Sequence, residues 1–187
     1  MKKILMGCIC AVALCAVAET RIATVNMIDL LRCHPSHESN KALVKSTDAD
    51  YKAKLEKQQE GARAIMEEAR KIQEDMNNPM LSPKAKGEIQ KKLEGVAQRF
   101  QAAQQELRVA SQHYQSELND LESRLIKIET DEIRGKIKGF AAEKGFDLIV
   151  DSTMMAFASE KLDVTDEILK LMNVDPAKRA EKKNEGK

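Results

Sequence analysis

Two long helix-forming runs, separated by a single sharp break, constrain this chain more than any other feature of its sequence. In the first run, apolar and small side chains recur at alternating steps of four and three residues, which is the spacing of a coiled-coil seam. The seam residues of this run are Tyr51, Leu55, Gln58, Ala62, Ile65, Ala69, Ile72 and Met76. Charged residues fill much of the remaining surface, as expected for a solvated helix face.

The second run continues the same spacing for longer. Its seam residues are Ile89, Leu93, Val96, Phe100, Ala103, Leu107, Ala110 and Tyr114. An extra step at Leu118 is a stutter, which locally relaxes a supercoil, and the seam then resumes through Leu121, Leu125 and Ile128. A differently placed stripe of Ile126, Ile133, Ile137 and Phe140 predicts that the packing partner changes near the end of this helix.

The break between the runs predicts a tight turn. Asn77, Asn78 and Pro79 end the first helix because proline disfavours a helical conformation in the residue before it. Ser82 is a good N-cap and Pro83 suits the first helical position. A connection this short folds two helices back on each other, so we expect a helical hairpin arm over residues 36–140 with its tip at 77–83.

Residues flanking the arm predict a small β-containing body, made of residues 19–35 and 141–173. The segments "RIATVNM", "FDLIVD" and "MMAFA" read as short strands, and "DVTDEILKLM" reads as a helix. Residues 174–187 are polar and are expected to be disordered. The fold class is therefore mainly α with a small β part, a long antiparallel coiled-coil hairpin projecting from a small body.

This architecture predicts an oligomer. Aromatic residues make up only 3% of the chain and charged residues 33%, so a two-helix rod has little apolar volume to bury. Three short strands would also leave exposed edges unless neighbouring chains cover them.

The first eighteen residues have the features of a cleaved signal peptide. Lys2 and Lys3 precede a short apolar run, and "AVA" at 16–18 suits a signal peptidase, so we expect cleavage after Ala18 and a secreted mature chain. Lipid attachment at Cys15 is a rival interpretation. Cleavage removes both lysines, which leaves 31 − 2 = 29 basic against 30 acidic residues. A balance near −1 argues against a nucleic-acid-binding protein.

No pattern of catalytic or cofactor-binding residues is found. Cys33, the one cysteine left after cleavage, lies with His34 and His37 in "CHPSH". Three ligands within five residues lack a fourth partner and the usual zinc-site spacing, so we favour an ordinary loop between two helices. We assign no catalytic residue, no metal and no cofactor, and we expect the protein not to be an enzyme.

The mature chain resembles the Skp (OmpH-like) family of periplasmic chaperones. The resemblance rests on "IATVNM", on the charged hairpin and above all on "FDLIVDSTMMAFASEKLDVTDEILKLMN". It implies a homotrimer with a β-barrel-like body and three arms around a cavity that holds unfolded outer-membrane proteins without ATP. One departure is charge: family members are strongly basic, whereas this mature chain is near neutral, so apolar and mixed-charge contacts gain weight.

Residues can be assigned to these implied roles. Oligomer contacts in the body are expected from Val25, Met27, Leu148, Val150 and Phe157. Contacts of the arm with unfolded proteins are expected from Met66, Met80 and Leu81. A membrane lipid surface is kept as a transient partner and nucleic acid is excluded. A structural coiled-coil spacer of the cell envelope is the alternative function.

Overall fold

The computed structural model describes residues 20–184. The predicted signal peptide, residues 1–18, and the last three residues of the expected tail lie outside the described residues. The order of the regular elements is β1 (Ile22–Val25), α1 (Met27–Arg32), α2 (His37–Met76), α3 (Pro83–Lys144), β2 (Leu148–Asp151), α4 (Thr165–Leu171) and α5 (Ala177–Asn184). The mainly helical fold with a small β part is confirmed. No helix within 20–184 combines the length and apolar content needed to cross a membrane.

Helices α2 and α3 form the arm. With 40 and 62 residues, they extend for about 60 and 90 Å at 1.5 Å per residue. The turn between them has the chemistry that the sequence predicts. The Ser82 hydroxyl accepts a hydrogen bond from the Ala85 amide, Pro83 begins α3, and the Asn78 side chain accepts from the Met80 amide.

Most side chains of the predicted seam are buried or half-buried between α2 and α3. Gln58 is an exception and is exposed. A second difference occurs near the body, where Ile128 is 55% exposed and Glu129 is buried in its place. After Leu125, the next buried residues of this face of α3 are Glu129 and Ile133, each four residues after the one before. Because four residues exceed one helical turn of 3.6, the packed face rotates as α3 leaves α2.

The body packs around the end of α3. Strands β1 and β2 are parallel, with Ile22 opposite Leu148 and Val25 opposite Asp151. The core joins side chains from β1, α1, α3 and α4. Its buried members are Val25, Leu30, Cys33, Ile133, Phe140, Ile168, Leu169, Met172 and Val174. Gly145 ends α3 in the left-handed conformation with φ of 68°, as a glycine C-cap should.

The prediction of a strand at "MMAFA" is wrong. Ser152–Met154 form a 3₁₀ turn and residues 155–159 are irregular. The cause is local, because the Asp151 side chain accepts a hydrogen bond from the Thr153 amide and so ends β2. Within residues 20–184 the sheet therefore has two strands rather than three.

The chain after residue 173 also differs from expectation. Residues 174–184, expected to be disordered, include helix α5 at Ala177–Asn184. Val174 is buried in the body core, and the Arg179 side chain contacts three carboxylates. These tertiary contacts stabilise α5, although the polar composition of the segment does not favour folding on its own. The expectation of disorder is therefore wrong for residues 177–184.

Candidate functional site

The body residues expected in oligomer contacts lie in different environments. Val25 is only 2% exposed and packs in the core of its own chain, and Met27 and Val150 are half-buried. Leu148 is half-exposed beside Ile22 on the neighbouring strand, and Phe157 is 84% exposed. The structure therefore leaves Leu148 and Phe157 on the surface and encloses Val25.

The two-stranded sheet has one open edge. The outer side of β1 is covered, since Thr24 bridges to Asp163 and accepts a hydrogen bond from the Val164 amide. The outer side of β2 pairs with no strand in the described chain. Exposed apolar side chains follow this strand, at Met154, Met155 and Phe157. An unpaired edge flanked by apolar surface is suited to pairing with another chain.

The arm residues expected to contact unfolded proteins do not form one cluster. Met80 is 90% exposed at the tip, with Leu81 half-buried beside it. Met66 is also exposed, but it lies ten residues before the end of α2, or about 15 Å along the helix. Leu43 and Val109 are two further exposed apolar residues that the sequence patterns did not single out. The arm thus carries dispersed apolar contacts rather than one pocket.

Open grooves run between the two arm helices. One groove near the body has a volume of about 630 Å³ and is lined by apolar and charged side chains, including Val44, Lys45 and Leu125. Two grooves farther along have volumes of about 470 and 450 Å³. The thin predicted seam explains them, because small and polar residues such as Gln58 do not fill the space between the helices.

Charges of both signs are interspersed along the arm. Arg99 of α3 pairs with Glu68 of α2 at 2.6 Å, and Arg70 pairs with Glu67 one turn away at 2.7 Å. The hydrogen bond from Arg70 lowers the pKa of the exposed Glu67 carboxyl below its usual value. These exposed pairs contribute little to stability. They give the arm a surface on which both signs of charge alternate. This agrees with the nearly equal numbers of basic and acidic residues in the expected mature chain.

A polar cluster at the root of the arm was not predicted from the sequence. The Glu129 carboxylate is 2% exposed and accepts a hydrogen bond of 2.7 Å from the Asn40 amide nitrogen. His37 Nδ1 lies 3.3 Å from the same carboxylate, and His34 Nε2 lies 3.1 Å from Glu132. The signal for this cluster was available, since Glu129 lies four residues after Leu125 on the packed face.

The "CHPSH" segment forms the connection between α1 and α2. Cys33 is buried in the body core, and that burial raises the pKa of its thiol. Both histidines turn instead toward carboxylates of α3. In residues 20–184 no group of three or more His, Cys, Asp or Glu side chains is arranged to hold a metal ion.

Comparisons with known proteins agree with this architecture. The family model described as outer membrane protein (OmpH-like) matches residues 21–172. Chaperone protein Skp of Yersinia enterocolitica is 23% identical over 91% of this chain and 98% of its own. Chaperone protein Skp of Photorhabdus laumondii is 26% identical over the same two shares. A candidate OmpH-like outer membrane chaperone from Caulobacter crescentus has a similar fold, with a TM-score of 0.55 and 12% identity over 83% of this chain and 85% of that chain.

The match includes both parts of the molecule. Residues 21–172 contain β1, both arm helices, β2 and α4, and they exclude only α5 among the described elements. The resemblance identified from the sequence is thereby confirmed, and the chain belongs to the family of OmpH-like outer membrane proteins.

Proposed function

We propose that this protein is an ATP-independent holdase chaperone that encloses unfolded outer-membrane proteins between helical arms and prevents their aggregation. The observation that carries the proposal is the arm itself. It is a thin two-helix rod whose exposed apolar side chains, including Met66, Met80 and Val109, are dispersed among charges of both signs. Such a surface offers many weak contacts and no single specific pocket, which suits clients, meaning bound unfolded proteins, of varied sequence.

Family membership supports a chaperone role, since the two Skp relatives described above are named chaperones. Identities of 23% and 26% are too low to carry over their clients. The proposed class of client is supported instead by the predicted signal peptide and by the family description, which names an outer membrane protein. The periplasm is therefore the proposed location.

We propose that the working form is a homotrimer joined through the body. The open edge of β2 and the exposed Leu148 and Phe157 support this assembly, because an isolated two-stranded sheet is only marginally stable. Several arms around a shared body would enclose a client and raise the effective concentration of its contacts. A transient contact with a lipid surface belongs to the same proposal, with Met80 at the arm tip as the apolar contact.

An aggregation assay tests the proposal. A denatured outer-membrane barrel protein is diluted out of urea into buffer without ATP, with or without the chain from residue 19 to 187, and light scattering is followed. Suppression of scattering at a near-stoichiometric ratio is the expected result. A correctly folded chain that leaves scattering unchanged would overturn the holdase function and favour a structural spacer.

Variants of the arm localise the activity. Replacing Met66, Met80 and Leu81 together by glutamine removes apolar surface while keeping side-chain length, and we expect weaker suppression of scattering. Glu60→Gln with Lys86→Gln is the matched control, because both residues are exposed on the arm, one on α2 and one on α3, and neither is apolar. Equal suppression by the two variants would show that the three named residues are not client contacts.

A further inference from the structure

The two arm helices are attached to the body in different ways. Helix α3 contributes Ile133 and Phe140 to the buried core, with Ile137 packed against it, so its last turns are part of the body. In the described chain, no residue of α2 belongs to that core and no apolar residue of α2 packs against it. The root of α2 is held by polar contacts, of which the hydrogen bond from Asn40 to Glu129 is one.

Helix α5 supplies the other attachment. The Lys182 ammonium donates to the Glu38 carboxylate at 2.6 Å, in the first turn of α2, and to the Arg32 carbonyl at 2.8 Å, at the end of α1. Lys182 is only 23% exposed, whereas Glu38 is largely exposed. The hydrogen bond and charge of Lys182 lower the pKa of the Glu38 carboxyl. One side chain thus joins the end of α1 to the start of α2.

The same face of α5 is fixed to the body by Arg179, three residues before Lys182. Its guanidinium donates to Asp29 at 2.8 Å, to Asp163 at 2.8 Å and to Asp166 at 3.1 Å. These carboxylates belong to α1, to the loop before α4 and to α4. The hydrogen bond between Arg179 and Asp29 is charge-assisted, because it joins a guanidinium to a carboxylate. Asp29 is buried, so its side of the pair is shielded from water. The pKa of Arg179 is raised by its carboxylate partners despite its burial.

From these contacts we propose that residues 175–184 form a strap that holds the root of α2 against the body and limits its movement away from α3. Arg179 anchors the strap and Lys182 holds the arm. The strap lies beyond residues 21–172, so it is an addition to the part of the chain that the family model matches. It acts on the junction where an arm would swing outward.

Hydrogen exchange of the backbone amides tests the strap in the chain from 19 to 187. The first comparison is with a chain that ends at Val174, which keeps that buried core residue. Because the shortened chain lacks the hydrogen bonds of both Lys182 and Arg179, we expect exchange at residues 37–48 to become about tenfold faster or more. Exchange at residues 89–110, in the distal arm, should be unchanged.

Two point variants keep the test decisive if the shortened chain is poorly folded. Lys182→Met removes the hydrogen bonds to Glu38 and to the Arg32 carbonyl while keeping the Arg179 anchor, and we expect faster exchange at 37–48 with unchanged exchange in α4. Lys178→Met is the matched control, because Lys178 is an exposed lysine of the same helix and is in none of the ion pairs found in residues 20–184. High salt should bring the full chain towards the Lys182→Met result through screening.

Two results would overturn the proposal. One is unchanged exchange at 37–48 in both the shortened chain and Lys182→Met. The other is an equal increase throughout the body and arm, which would make residues 175–184 an ordinary part of the core rather than a strap on α2.

Discussion

Tyr51 of α2 stacks on Tyr114 of α3, with ring centroids 4.4 Å apart and ring planes within 3° of parallel. Both are seam positions, and the Lys54 ammonium lies over the pair, 5.3 Å from the Tyr51 ring. They are the two tyrosines of a chain without tryptophan. Intrinsic fluorescence therefore reports on one place, the middle of the arm, and separates arm opening from changes in the body.

Replacing Tyr114 by alanine should lower the free energy of unfolding of the arm by about 2 kcal/mol, because a large half-buried ring and its stacking contact with Tyr51 are lost. Urea unfolding followed by circular dichroism measures the loss. Gln112→Ala is the control, since Gln112 is an exposed residue in the same turn of α3. A double-mutant cycle with Tyr51→Ala should give a coupling of about 1 kcal/mol, and a coupling near zero would show that the rings do not interact.

Substitutions of glycine should have opposite effects at two positions. A Cβ atom on Gly95 would meet nothing within 4 Å, so Gly95→Ala should stabilise α3 by about 1 kcal/mol through helix propensity. Gly145 has a φ of 68°, where a side chain is strained, so Gly145→Ala should destabilise by about 1 kcal/mol. Thermal unfolding compares them, and stabilisation by both changes would contradict the left-handed cap.

Removing the Glu129 side chain alone should destabilise the protein, whereas replacing Glu129 and Asn40 together should not. Glu129→Ala leaves the half-buried Asn40 amide without its acceptor and should lower the free energy of unfolding by about 2 kcal/mol. Leucine at both positions restores an apolar seam, and this double variant should be at least as stable as the native chain. Chemical unfolding of the three proteins decides the matter. A double variant less stable than Glu129→Ala would show that the buried carboxylate is itself stabilising.

Asp163 gives stability a defined pH dependence. Burial would raise the pKa of its carboxyl, but hydrogen bonds from Thr165 and from Arg179 outweigh burial and lower it from its ordinary value of 3.8. A lowered pKa stabilises the folded state fully above the ordinary value, and this contribution is lost as pH falls through the folded value. The stability difference between the native chain and Asp163→Asn should therefore be constant from about pH 5 to 7 and shrink below about pH 4.

A pH series of urea unfolding curves measures that difference. Arg179→Met provides the control, because without the guanidinium the pKa of Asp163 should lie closer to its ordinary value, so the pH-dependent part of the stability difference should be smaller and should end at a higher pH. A difference that grows on acidification would contradict the lowered pKa.

The arm was predictable because its determinants are local. The steps of four and three residues, the Asn77–Pro79 break and the Gly145 cap each act within a few residues. The body was harder to predict from the same reasoning. "MMAFA" has the composition of a strand, but the Asp151 side chain ends β2 just before it.

The misses that matter for function involve residues far apart in sequence. Arg179 meets Asp29 across 150 positions, and Asn40 meets Glu129 across 89. No periodicity connects such pairs, so composition alone predicts a disordered tail where α5 forms, and the seam spacing predicts Ile128 where Glu129 is the buried residue. Local sequence patterns also cannot predict which contacts between chains would cover the open edge of β2.

Sedimentation velocity of the chain from 19 to 187, alone and with a denatured outer-membrane barrel protein, tests the central claim most directly. We predict a species with three times the mass of one chain, which gains the mass of one client and keeps it soluble without ATP. A folded single chain at micromolar concentration, with the barrel protein sedimenting separately as aggregate, would contradict the account.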